Sequence, residues 1–294
     1  MAQLRTSLDQ WRVLAAVVDE GGFAQAAAHL HRSQSAVSYS MGQLQEALGV
    51  KLLEIRGRKA ELTPHGAELL RRSRSILDQF ARLEALARSI DSGWESKLRL
   101  VVDATFPQEL LLGMLAELRQ GCPLTTLFLD DAVLSGAEDA ITSGNADVVV
   151  TTRVPPGFLG DWLMDVEMIA VAAPSHPLHA LGRTLTADDL ALHTQVVVRD
   201  SGHARRDEGW LGAQQRWTVA ALEASHAAAR AGLAYAWLPA HLLSGDFVAG
   251  RLAPLPLDVG AMRRMPLYVV LVKGEAAGPA ARLALELFQR HRPV

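Results

Sequence analysis

The stretch Phe23-Ala24-Gln25-Ala26-Ala27-Ala28-His29-Leu30-His31-Arg32-Ser33-Gln34-Ser35-Ala36-Val37-Ser38-Tyr39 decides how this 294-residue chain is read. Ala24 to Leu30 has the spacing of a short helix, and its small side chains let another helix approach closely. His29, His31 and Arg32 mark a tight turn. Ser33 is a good cap for a further helix, in which Val37, Met41, Leu44 and Leu48 form one apolar stripe and Gly49 ends the run. At 100° per residue, Ser35, Ser38, Tyr39 and Gly42 fall together on another face. Upstream, Ser7 caps a first helix carrying Leu8, Trp11, Leu14, Ala15 and Val18 at helical spacing, and Gly21-Gly22 closes it.

A helix-turn-helix needs this arrangement, with one face anchored in a core and small polar side chains turned to the major groove. Gln34 has the amide geometry for adenine, and Ser35 and Ser38 can bond bases or phosphates. Free amides at the Ser33 helix start favour a phosphate, with Arg32 beside them and Tyr39 one turn on. An ordinary amphipathic helix with a solvated serine face explains the periodicity equally well. Downstream, Leu52, Leu53 and Ile55 read as a short strand and Ala60 to Leu62 as another. Between them, Arg56-Gly57-Arg58-Lys59 forms a cationic turn. Alone, such a tip is usually solvated; beside a reading helix it suits a wing that grips phosphates or the minor groove.

Phe23 to Leu30, Ser33 to Ser38, Leu44, Leu48-Gly49 and Leu62-Thr63-Pro64-x-Gly66 together resemble the LysR-type transcriptional regulators. The match is dense over residues 7–70 and looser to the C-terminus. Some positions depart from the family pattern: Gly22 stands where Ser or Thr is common, Ser35 where Pro is frequent, Tyr39 for a common Arg, and His65 for a small residue. The Tyr39 departure points to an altered operator preference. The resemblance implies a DNA-binding transcriptional regulator of double-stranded, interrupted palindromic operators. It further implies a homodimer or homotetramer that contacts RNA polymerase where it activates, and a small-molecule effector with no cofactor.

Thr63 and Pro64 make a favourable helix start. From there Leu69, Ile76, Leu83 and Ile90 recur every seven residues, with Ser73, Phe80 and Ala87 at the alternate positions. Polar residues such as Arg71, Arg74, Asp78 and Arg88 occupy the other faces, so a narrow coiled-coil seam fits better than a core helix. Leu69, Ile76, Phe80, Leu83 and Ile90 are therefore the expected dimerisation residues. The expected layout is an all-α winged helix-turn-helix domain over 1–62, a linker helix over 63–93 and an effector-binding domain over 94–294.

From Lys97 strands alternate with helices, the signature of an α/β region with a mostly parallel sheet. Residues 166–173 and 268–272 read as crossings between two lobes. The first lobe is expected at about 94–168 and 273–294, the second at about 169–272. This is similar to the family's effector domain and to periplasmic binding proteins. Open α/β sheets bind ligands beyond the carboxyl ends of their strands. Thr105 and Phe106 follow the first strand there, Thr151, Thr152 and Arg153 the third, and Ser201 and Gly202 a strand of the other lobe. Free amides and the Thr105 hydroxyl suit a small anionic or polar effector, and Arg153 has the geometry to pair with an acid group. Plain turn and cap roles account for the same residues.

Composition narrows the alternatives. Net charge is −3, yet residues 1–92 hold 12 Lys and Arg against 10 Asp and Glu, leaving the excess acid downstream. One cysteine, Cys122, excludes an internal disulfide framework. No secretory signal and no 18-residue uncharged apolar run is present, so a cytoplasmic protein is expected. An enzyme is the first rival, but there is no GxSxG, HExxH or Walker A motif, and the ten histidines are scattered without metal-ligand spacing. A soluble ligand-binding module is the second; it leaves residues 7–62 unexplained. The seam is directly testable: replacing Ile76 and Leu83 together by Lys is expected to split the dimer in light scattering. An unchanged oligomer would remove the coiled-coil reading.

Overall fold

The computed structural model describes residues 4–56, 59–209 and 212–292. The chain divides into two compact units, residues 1–88 and 89–294. In the first, α1 (Leu8–Asp19), α2 (Phe23–His29) and α3 (Gln34–Leu48) precede a hairpin of β1 (Leu53–Arg56) and β2 (Lys59–Leu62). Ser7 and Gln10 form a reciprocal capping box at α1, and Ser33 caps α3 by accepting from the Ala36 amide at 3.2 Å. Gly49 ends α3 at φ +68°, a left-handed position where glycine costs nothing. Val13, Leu14 and Val17 pack against Ala26, Val37, Met41 and Leu44, so the expected stripes meet in one core.

The long helix α4 (Pro64–Asp91) comes next, about 42 Å at 1.5 Å per residue. Its first turn has a steric requirement. A Cβ on Gly66 would lie 2.1 Å from the Leu52 carbonyl oxygen, so only glycine fits. Thr63 joins the same corner: its hydroxyl donates to the Lys51 carbonyl at 2.7 Å and accepts from the Gly66 amide at 2.9 Å. Further along, the seam divides. Leu69 packs against the core of its own unit and Ser73 is buried there, which corrects the expectation that this heptad faces a partner. Ile76, Phe80, Leu83 and Ile90 are exposed.

The second unit is built on one large sheet. β3 (Lys97–Asp103) leads to α5 (Gln108–Gly121), β4 (Thr126–Ala132), α6 (Ser135–Thr142) and β5 (Val148–Thr151). The long β6 (Gly160–Ala172) then crosses to a second lobe. That lobe contains α7 (Pro177–Ala180), α8 (Ala187–Ala191), β7 (Thr194–Val198), β8 (Gln215–Val219), α9 (Leu222–Arg230), β9 (Ala236–Pro239), α10 (Ser244–Val248) and β10 (Ala253–Pro254). β11 (Met262–Leu271) returns, and α11 (Pro279–Arg290) packs beside α5 on the first lobe.

The strand order β10-β6-β11-β5-β3-β4, with β9 on β6, revises two expectations. Only β3 with β4 and β5 pairs in parallel in this sheet; β6, β11, β9 and β10 join it antiparallel. The crossing strands impose that direction. Both crossings are also longer than their apolar runs, and β11 already pairs with β5 from Tyr268, ahead of the expected return at 273. Cys122 is buried, its thiol donating to the Leu118 carbonyl at 3.0 Å, and burial raises its pKa. It behaves as a small apolar residue.

His176 links this packing to pH. It is buried, its Nδ1 accepts from the Leu178 amide, and burial with neighbouring His193 and His179 lowers its pKa to about 4. Burial also lowers His241. The folded state thus binds fewer protons than the unfolded chain, whose histidines titrate near 6.5. Stability is full above that value and falls as pH drops toward 4. The melting temperature is expected to decline between pH 7 and pH 4.5, and His176→Gln should flatten the decline in the same scan.

Candidate functional sites

The first site is the exposed face of α3. Ser35, Ser38, Tyr39 and Gly42 all face solvent, while Val37, Met41 and Leu44 on the opposite side are buried. Gln34 is exposed in the first turn. The Ser33 and Ser35 hydroxyls are 3.0 Å apart, and Tyr39 accepts from Gln43 Nε2 at 2.8 Å. One expected contact is otherwise engaged: Arg32 makes a two-pronged pair with Asp9 at 2.8 and 2.9 Å, tying the turn to α1. That pairing spans 23 residues and has no local sequence signal. Sequence reasoning also missed Gln45, whose side-chain oxygen accepts the Leu52 and Leu53 amides at 2.8 and 3.2 Å and fixes where the hairpin leaves α3. In the hairpin Arg56 pairs in register with Lys59. Gly57 and Arg58 lie outside the described residues.

The second site is a cavity of about 320 Å³ inside the effector unit, where both lobes and the crossing strands meet. Asp103, Thr105 and Thr152 reach it from strand ends of the first lobe. Val196 to Val198 face it from β7, and Met168, Trp237, Arg263 and Met265 form its floor on the crossing strands and β9. Its walls are mostly apolar, as a small-molecule site requires.

The predicted residues distribute unevenly around it. Thr105 lines the cavity, but its amide and hydroxyl both donate to Asp103 Oδ1, at 2.9 and 2.5 Å. They are not free for an anion. Phe106 is core, its ring edge-on to Phe288 at 5.7 Å, and touches only a smaller neighbouring cavity of about 140 Å³. Thr151 is fully buried and closes its own turn through the Arg153 amide and carbonyl. Arg153 is exposed and pairs with Glu208 at 3.4 Å. Thr152 alone of that trio lines the cavity.

Ser201 and Gly202 do something else again. The Ser201 hydroxyl accepts from the Val133 amide at 2.9 Å, and Asp200 accepts from the Ser135 amide and hydroxyl at 3.0 and 2.6 Å. Arg206 grips Glu138, and the His203 amide donates to Asp139 at 2.7 Å. These bonds join the lobes. Gly136 and Gly202 sit face to face at this junction, where a Cβ on Gly202 would come within 2.6 Å of the Gly136 nitrogen. Hydrogen bonds from Ser135, Gly202 and Arg206 hold the Asp200 carboxyl below its ordinary pKa despite burial.

Residues 8–67 match the family model described as bacterial regulatory helix-turn-helix protein, lysR family, and residues 91–293 match the LysR substrate binding domain. The chain belongs to the LysR family. It is a DNA-binding transcriptional regulator with an effector-binding domain, and not an enzyme. Among similar LysR-type proteins, the Escherichia coli regulator YeeY is 31% identical, covering 85% of this chain and 82% of its own length. PunR, also from E. coli, is 30% identical over 84% of this chain and 81% of its own. The solved LysR-type regulator CrgA from Neisseria meningitidis has the same fold at TM-score 0.53 and 22% identity, covering 98% of this chain and all of its own. No helix among the described residues is long and apolar enough to cross a membrane.

Thr105 can be tested as a structural donor in this LysR-type domain. Thr105→Val removes the hydroxyl bond to a buried carboxyl and is expected to cost about 1–3 kcal/mol of folding stability without any effector. Denaturant unfolding of the variant measures it.

Proposed function

We propose that this protein grips an interrupted palindromic operator as a homodimer or homotetramer, reading bases with the exposed face of α3. Gln34, Ser35, Ser38 and Tyr39 read the major groove, Ser33 caps toward a phosphate, and Arg56, Arg58 and Lys59 hold the flanking backbone. Arg32 positions the turn through Asp9. The observation that carries this reading is the division of α3 into a core-bound stripe and a solvent-facing row of small polar side chains.

Pairing of subunits uses the exposed Ile76, Phe80, Leu83 and Ile90. The effector unit offers a second patch: Leu127, Phe128 and Leu129 on edge strand β4, and Trp217 on β8, all exposed. Apolar edge strands of this kind call for a covering partner. A small molecule enters the cavity between the lobes and shifts regulation by its differential affinity for two arrangements of the protein. Contact with RNA polymerase follows where the protein activates, and the cytoplasm is where these partners meet.

Gel-shift titration against the DNA upstream of its own coding gene tests the reading. Affinity is expected to fall linearly on a log–log plot of salt. Gln34→Ala or Ser38→Ala should lower preference for that DNA over random duplex by about 1–3 kcal/mol. Arg58→Ala should weaken both duplexes together. Equal binding of random and upstream DNA at physiological salt would overturn the assignment.

A further inference from the structure

Asp103 ends β3 at the cavity between the lobes and is only 4% exposed. Thr105 saturates its Oδ1, while Oδ2 takes no hydrogen bond from any described residue. No cation among the described residues lies within salt-bridge distance of it, and burial raises its pKa above the usual carboxylate range. The small neighbouring cavity that shares Asp103 is lined by two more acids, Asp131 and Glu223. The one titratable base lining it, His241, has its pKa lowered by burial. This end of the site is lined by acids.

The floor has the opposite charge. Arg263 on β11 is half-buried, has no carboxylate within 4 Å among the described residues, and lies over the Trp237 ring at 4.7 Å. The other charges of the larger cavity are already matched: Arg264 with Glu167 at 3.0 Å, and Glu208 with Arg153 at 3.4 Å. One acid and one guanidinium are left over, on different walls of an otherwise apolar chamber. Polar groups left without protein partners in an apolar chamber are costly, and they mark places that a ligand completes. Cation–π contact with Trp237 holds the guanidinium in place without consuming its hydrogen-bond donors.

We propose that the effector is amphoteric: a nitrogen donor meets Asp103, an acid group meets Arg263, and an apolar body packs on the valine and methionine walls. The proposal rests on the cavity being the effector site. It replaces a simple anion, which would satisfy Arg263 and leave Asp103 Oδ2 without a nitrogen donor. Amino acids with apolar side chains have this chemistry and a size suited to a cavity of about 320 Å³.

Calorimetry and thermal shift on the full chain decide the matter with three matched pools: the twenty amino acids, the amines lacking their carboxyl groups, and the acids lacking their amino groups. A member of the first pool is expected to bind at least ten-fold tighter than either truncated form. This ranking needs no variant. Asp103→Asn should then weaken it ten-fold or more, and Arg263→Gln likewise, with melting curves confirming that both variants fold. Binding confined to the deaminated acids, insensitive to Asp103→Asn but lost in Arg263→Gln, would overturn the amphoteric class and leave the cavity as the site. Binding that ignores both substitutions would overturn the cavity itself. Silence from the amino-acid pool at millimolar concentration would also overturn the proposal.

Discussion

The antiparallel ladder between β6 and β11 is the constraint on which the effector unit depends. It runs from Met262 opposite Ile169 to Val270 opposite Gly160, through both lobes, so neither lobe owns a complete sheet without it. β5 extends it on one side and β9 on the other. The cavity floor lies toward one end of it, where Met168 faces Arg263 in register. Backbone bonds make this floor stiff. The opposite contact between the lobes is of a different kind: side-chain bonds from Asp200, Ser201 and Arg206 to α6 and the Val133–Ser135 segment before it. Each of these is far cheaper to break than a continuous ladder. A stiff floor and a far edge held by side chains are the kind of pairing that hinge motions use.

A similar economy of fixed points governs the DNA-reading unit. Gly66 lets α4 start against the Leu52 carbonyl, Thr63 pins the same strand, and Gln45 holds the Leu52 and Leu53 amides from α3. Three elements therefore meet at one two-residue segment. The hairpin therefore leaves that segment in a set direction relative to α3. Arg32, locked to Asp9, does for the turn what Gln45 does for the hairpin.

Sequence legibility followed the range of the interactions. Ser33, Gly49 and the Val37-Met41-Leu44 stripe act within a few residues, and the structure places each as read. The heptad repeat was legible, but not which of its positions turn inward: Leu69 and Ser73 keep the period while packing into their own core. Polar pairings over long separations left no local trace. Arg32 with Asp9, Arg153 with Glu208, and Ser201 with Val133 each looked like a group free for a ligand and are each engaged within the protein. β11 was read short because Arg263, Arg264 and Pro266 interrupt its apolar run, which hid the guanidinium in the floor.

The same reasoning explains why Asp103 escaped notice while its neighbour drew attention. A hydroxyl after a strand end reads as a ligand contact, and an acid two residues earlier reads as a turn former. The fold reverses these roles. Thr105 spends both donors on Asp103 and so orients the carboxyl, with Oδ1 saturated and Oδ2 unclaimed. Protein donors on one oxygen alone do not offset the burial of the group, since its pKa remains raised. A proton on Oδ2 or a donor brought into the cavity relieves that burial. On the proposed reading, a ligand donor at Oδ2 supplies the partner that the fold withholds, and a regulatory response is built from the ligand's differential affinity for the two forms.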